Sequence, residues 1–224
     1  SISSGDLSYS WEIPDAIGNL LKVKITSEDD PATTDTSDDV FSIKGRLVLS
    51  APTGGEIWYV GTQENITWDT YGTIDKVNLY YSTDGGVTYS STIVTAATNV
   101  DGYLWTIPDA IGTTTRVKIE QYGDSEVYDT SPNDFTIKGR IVVDTPNGGE
   151  VWYVGETQSI IWSAYGSIGN VEIRYSTDGG TTYPDDQIIT PAGGVPATDG
   201  SFAWTIPDSV GINNKIKITS LDYP

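Results

Sequence analysis

A self-similarity at a spacing of 94 residues constrains this chain more than any other feature. Gly54-Gly55-Glu56-Ile57-Trp58-Tyr59-Val60-Gly61 returns as Gly148-Gly149-Glu150-Val151-Trp152-Tyr153-Val154-Gly155, and Trp68 and Asp84 return as Trp162 and Asp178. Trp11-Glu12-Ile13-Pro14-Asp15 returns at 105–109 with the same spacing, and again at 204–208 after five additional residues. Those five fall among Pro191, Gly193, Gly194 and Pro196, a loop-like stretch that accommodates insertion. A fixed period of this length marks a tandem array. Ile43-Lys44-Gly45-Arg46 and Ile137-Lys138-Gly139-Arg140 mark the seams. The expected organisation is the C-terminal half of one repeat at 1–46, a complete repeat at 47–140, and a repeat lacking its last strand at 141–224.

Within a repeat the apolar pattern has period two, which points to strands. Val77, Leu79 and Tyr81 alternate with Asn78, Tyr80 and Ser82, and the next copy keeps Val171, Ile173 and Tyr175 while the other face changes to Glu172 and Arg174. Alternate residues of a strand point to opposite faces, so the unchanged set is the inward one. The same pattern turns Tyr9, Trp11 and Ile13 inward, with Trp105 and Trp204 in the equivalent slots. The expected core comprises Trp11, Trp68, Trp105, Trp162, Trp204, Tyr81 and Tyr175. Gly, Pro and Asp turns separate about seven short strands per repeat, the pattern of an antiparallel sandwich. Ser82-Thr83-Asp84-Gly85-Gly86 and Ser176-Thr177-Asp178-Gly179-Gly180 are expected to form tight hairpins. The seams run from one strand almost directly into the next, so the fold expected is all-β: tandem Ig-like antiparallel β-sandwiches in a beads-on-a-string rod.

Composition removes several classes of chemistry. Cys, His and Met are absent, so no disulfide framework, Cys nucleophile or Ser-His-Asp triad can be assembled. The net charge of −19 argues against nucleic acid and anionic membranes as partners, which require Lys/Arg patches. No apolar run approaches the ~20 residues needed to cross a bilayer, so this segment is expected not to insert in a membrane. A start at Ser1 with no Met reads as a processed chain or an internal piece.

Gly-Gly-Glu-x-Trp-x-x-Gly, Ile-x-Trp, the Tyr-Ser-Thr-Asp-Gly-Gly hairpin, Trp-x-Ile-Pro and a closing Phe-x-Ile resemble the Ig-like repeats of large bacterial surface proteins. They are also similar to the Ser/Thr-rich, lipid-anchored cell-wall domain family of fungi. The resemblance spans the whole chain and implies an Ig or fibronectin III-type sandwich in an extracellular array, with no catalytic residues. The Ser82–Tyr89 segment also resembles the Asp-box hairpin of β-propellers. Propeller blades recur at roughly 40–50 residues, so the box is read as a structural turn.

Three constellations admit functional readings. Trp58 and Trp152 are candidates for stacking on surface glycans, weighed against packing at a domain end. The carboxylates could supply a glycosidase pair, but they sit in turns and on outward strand faces, with no pair unique to one repeat. Asp15, Asp124 and Asp129 are expected to approach one another at the first seam, with Asp124 and Asp129 on a long loop from Tyr122 to Asn133. Hard oxygen ligands there would suit Ca²⁺, the single cofactor considered; the competing reading is a solvated acidic loop.

The expected function is a structural module of an extracellular or cell-surface array (stalk, fibre or surface layer), without catalysis. Its partners are neighbouring repeats or identical subunits. The alternative is an adhesin or carbohydrate-binding array that uses aromatic and acidic loops at the domain ends.

Overall fold

The computed structural model describes residues 3, 5, 6 and 8–222; Ser1, Ile2, Ser4, Leu7, Tyr223 and Pro224, at the outer margins of the first and third repeats, lie outside the described residues. The chain is all-β. The first repeat contributes β1 (Gly18–Leu21), β2 (Lys24–Thr26), β3 (Thr34–Thr36) and β4 (Phe41–Ile43). The second contributes β5 (Arg46–Ala51), β6 (Ile57–Tyr59), β7 (Gln63–Tyr71), β8 (Lys76–Ser82), β9 (Ser91–Thr98), β10 (Gly102–Thr106), β11 (Gly112–Gln121), β12 (Asp124–Thr130) and β13 (Phe135–Lys138). The third contributes β14 (Arg140–Thr145), β15 (Thr157–Tyr165), β16 (Asn170–Ser176), β17 (Val195–Pro196), β18 (Ser201–Thr205) and β19 (Lys215–Ser220), with short 3-10 turns at Asp185–Gln187 and Ala197–Asp199.

Two compact units divide the chain. The first comprises Ser1–Glu56, Asn65–Trp105 and Thr114–Phe135; the second comprises Ile57–Glu64, Thr106–Thr113 and Thr136–Pro224. The seam at 43–46 lies inside the first unit and the seam at 137–140 inside the second.

In the first unit, sheet β10-β7-β5 places Leu47, Leu49, Ile66, Trp68 and Trp105 in the core, and β8 and β11 supply Val77, Leu79, Val117 and Ile119. Tyr81 of β8 and Trp105 of β10 meet at 5.2 Å between ring centroids, closing the two faces on each other. The buried Trp68 indole N–H donates to Asn99 Oδ1 at 2.7 Å, as a buried polar edge requires. Asn78, an outward position by simple alternation, is buried, because its Oδ1 accepts the Ala96 N–H where β9 departs from regular register. The 122–133 segment, expected as a long loop, turns at Gly123 into β12, which pairs antiparallel with β11.

The second unit repeats this arrangement. Ile160 and Trp162 of β15 face Val171 and Ile173 of β16 across one apolar cluster. Its sheets are ordered β14-β15-β18 and β17-β16-β19. Tyr175 and Trp204 meet at 5.2 Å, and the Trp162 indole N–H donates to the Ala197 carbonyl. Chain order places strands one, two and five in one sheet and three, four and six in the other, forming an antiparallel sandwich of the Ig/fibronectin III type. In the central repeat β11, β8 and β9 adjoin in that order within the first unit, and β6 pairs with β13 within the second.

One core expectation fails. Trp11 is 46% exposed and Tyr9 and Ile13 are also exposed. Trp11 packs edge-on against Phe41, and among the described residues of the first repeat the strand pairs are β1–β4 and β2–β3, neither of which covers the ring. Trp204, Tyr81 and Tyr175 are half-buried, whereas Trp68, Trp105 and Trp162 are buried.

Candidate functional site

Each seam is built from the same residue types in the same positions. In the first unit, the Asp15 carboxylate accepts the Thr73 backbone N–H at 3.0 Å and the Thr73 hydroxyl at 2.6 Å. In the second unit, Asp109 Oδ2 accepts the Ser167 hydroxyl. Both acceptors end a Trp-x-Ile-Pro-Asp run, and both donors follow a Tyr-Gly turn, Tyr71-Gly72 or Tyr165-Gly166. Pro ends the preceding extended segment by withholding a donor N–H, which leaves the following Asp free to reach across the seam.

The turn glycines are dictated by geometry. Gly72 has φ +81° and a Cβ there would meet Asp15 Oδ1 at 3.1 Å; Gly166 has φ +91° and would meet Asp109 Oδ1 at 3.2 Å. Left-handed backbone and close approach both favour glycine. The seam glycines have a different cause. A Cβ on Gly45 would lie 2.7 Å from Ile74 Cδ1, and one on Gly139 would lie 2.6 Å from Ile168 Cγ1. Ile74 and Ile168, both buried, pack directly on the seam backbone. The next residue completes each joint: the Arg46 guanidinium stacks 3.9 Å from the Tyr71 ring centre, and that of Arg140 stacks 4.0 Å from Tyr165. Such stacks contribute roughly 0.5–1 kcal/mol at exposed sites.

The first seam carries additional charge pairing. Lys44 Nζ lies 2.9 Å from Asp124 Oδ2 and bonds Glu126 as well. Those two carboxylates, Glu126 foremost, raise the Lys44 pKa; Lys44 and the Glu126 N–H lower that of Asp124. The Thr73 hydroxyl and then its N–H hold the Asp15 carboxyl below the ordinary carboxylate value.

The three acidic residues singled out as calcium ligands therefore have different protein partners. Asp15 binds Thr73, Asp124 binds Lys44, and Asp129 accepts the Leu49 N–H at 2.8 Å and the Thr130 N–H at 2.9 Å. Among the described residues no three carboxylates form a metal-holding group. Sequence reading missed Thr73 and Ser167; their signal was a hydroxyl after Tyr-Gly at the same position in both copies.

The hairpin acids are also internally engaged. Asp84 accepts Ser82 Oγ, Thr88 N–H and Thr88 Oγ1, and Asp178 accepts the corresponding donors from Ser176, Thr181 and Thr182. The positive φ angles are taken by Gly85, Gly86, Gly179 and Gly180 rather than by the acids. Trp58 is 7% exposed and pairs through its backbone with Ile137 of β13. Trp152 is half-buried and packs edge-on against Trp204 at 6.3 Å.

No protein-family model matches the chain, and no curated protein matches it. Among solved structures it is similar to the fibronectin(III)-like modules of Clostridium thermocellum CbhA, at 16% identity over 79% of this chain and 86% of that one, with a TM-score of 0.28. It is also similar to Bacteroides uniformis beta-glucuronidase 3 at 12% identity, over 81% of this chain and 24% of that one, with a TM-score of 0.25.

Proposed function

We propose that the chain is a structural module of an extracellular, cell-surface array, and that its working parts are the joints between repeats. The observation that carries this reading is the residue-for-residue recurrence of the joint: acceptor Asp, donor Thr or Ser 58 residues later, glycine under isoleucine, arginine on tyrosine. Two repeats merely tethered together have no need of matched contacts at every seam. A joint made of a hydrogen bond, a steric seat and a stacked cation restricts both swing and rotation, which is what a stalk or fibre demands of its links.

Neighbouring repeats or identical subunits are the partners in this reading, and it assigns no catalysis. The carboxylates at the joints act as hydrogen-bond and ion-pair acceptors for protein donors. The adhesin alternative draws less support, because Trp58 is buried against its own sheet and offers no free ring face to a sugar. The test is Asp15→Ala with Asp109→Ala, followed by small-angle X-ray scattering and circular dichroism. Retained secondary structure with a broadened distribution of molecular dimensions supports the joint reading; an unchanged scattering profile opposes it.

A further inference from the structure

A glutamate clamps the turn after the first strand in both the central and the third repeat. Thr53 and Gly54 donate their backbone N–H groups to the Glu56 carboxylate, each at 2.7 Å. Asn147 and Gly148 donate theirs to Glu150, at 2.8 and 2.7 Å. Two successive main-chain N–H groups converging on one anion form a nest. Gly54, Gly55, Gly148 and Gly149 all take the positive φ that shapes it. The Asn147 N–H foremost, with those of Glu150 and Gly148, holds the Glu150 carboxyl below the ordinary carboxylate value, so the clamp is ionised at neutral pH.

The two copies differ in what the clamp holds. Asn147 stands where the central repeat has Thr53, and it is the one asparagine of the chain followed by glycine. An asparagine side-chain amide is open to attack by the next main-chain nitrogen, and a following glycine has no side chain to shield that nitrogen. Asn147 is exposed, as is Thr53 in the repeat bounded by both seams. Ring closure requires the Gly148 nitrogen to lie beside the Asn147 Cβ, within reach of Cγ. In the clamp it lies beside the Asn147 nitrogen instead, because both donors face the same carboxylate.

We infer that Asn147-Gly148 is a self-modification site, an asparagine set to deamidate and held unreacted by Glu150. The step needs no reagent but water. The Gly148 nitrogen loses its proton and bonds to Asn147 Cγ, the Cγ–Nδ2 bond breaks, and ammonia leaves with the proton. Water then opens the cyclic imide at either carbonyl, giving aspartate or isoaspartate, in which the main chain runs through the side-chain carbons. Either product places a second carboxylate beside Glu150, and like charge opposes re-formation of the clamp. Release of Glu150 therefore commits the turn. The site lies wholly in the third repeat and does not depend on the joints acting in an array.

The experiment incubates the whole 224-residue chain at neutral pH and follows Asn147 by peptide mapping and mass spectrometry, beside a synthetic peptide of residues 144–151, Asp-Thr-Pro-Asn-Gly-Gly-Glu-Val. The folded chain should deamidate at least about tenfold more slowly than the peptide. Glu150→Gln, whose amide accepts at one oxygen only, should remove most of that difference while circular dichroism shows the fold retained. Thr53→Asn transfers the site to the central repeat, where Glu56 should protect it equally and Glu56→Gln should expose it. Equal rates in the folded chain and the peptide, or a folded Glu150→Gln chain as slow as the unaltered one, would overturn the inference. Rapid deamidation of folded Thr53→Asn with Glu56 in place would overturn it as well.

Discussion

The Asp109 carboxylate holds the hydroxyl of Ser167, 58 residues further along the chain, and Asp15 holds Thr73 at the same separation. Neither residue type is unusual on a β-protein surface. They recur in register, each beside a positive-φ glycine and an arginine stacked on tyrosine, and the proposed joint rests on that recurrence.

Replacing Gly139 with Ala tests the steric seat. A Cβ placed 2.6 Å from Ile168 Cγ1 forces the isoleucine to move, at a cost of about 1–3 kcal/mol in a packed position. Urea unfolding should show that loss, and Ile168→Val in the same chain should recover part of it. A double-mutant cycle with no coupling between the two substitutions would contradict direct packing.

The core should respond unequally in equivalent positions. Ile119→Ala removes a fully buried side chain and should cost about 2–5 kcal/mol. Ile218→Ala, at the half-buried counterpart, should fall at or below the bottom of that range. Equal losses in denaturant titrations would contradict the more open third repeat.

The Asp84 and Asp178 hairpins should loosen in acid. Hydrogen bonds, first from Ser82 and then from Thr88, bring the Asp84 pKa down from 3.8 to about 2; those from Ser176 and Thr182 lower Asp178 further. A carboxyl whose folded pKa is depressed adds stability above its unfolded value, and that contribution is lost as pH falls through the folded value. The hairpins should therefore hold at pH 5 and release between roughly pH 4 and 2. Carboxyl carbon shifts followed by NMR across that range read the titration directly, and a midpoint for Asp84 near 4 would contradict the assigned bonds.

Calcium should leave the melting temperature unchanged. Asp15, Asp124 and Asp129 are already matched to Thr73, Lys44 and two backbone N–H groups. Addition of ~1 mM Ca²⁺, a level at which extracellular sites fill, would raise the transition if a cation instead tied these carboxylates together.

Alternation and repetition made much of this fold legible. Constant apolar positions beside changing polar ones locate β8 and β16, and the repeated Trp slots locate Trp68, Trp105 and Trp162 in cores. Trp11 carries the same local pattern, yet its ring is exposed, because inward orientation says nothing about whether a facing sheet exists. Asn78 is buried by a register shift in β9, which period-two reasoning does not encode. At the seams, Asp15 was visible as a terminal acid, but its partner was not. Thr73 and Ser167 are brought there by the turn after Tyr-Gly, a relationship between distant segments. Carboxylates at a seam stand out in a sequence, whereas a hydroxyl among many Thr and Ser residues does not.

The proposed joint is tested most directly at the second seam, where Asp109 holds Ser167. The chain has no cysteine, so Thr83→Cys and Thr177→Cys place spin labels only on the two exposed hairpins, one in each of the repeats joined by the second seam. Double electron–electron resonance should give one narrow distance distribution for this chain and a broad one when Asp109→Ala is added. A distribution already broad with Asp109 in place, or one unaltered by its removal, would contradict the account.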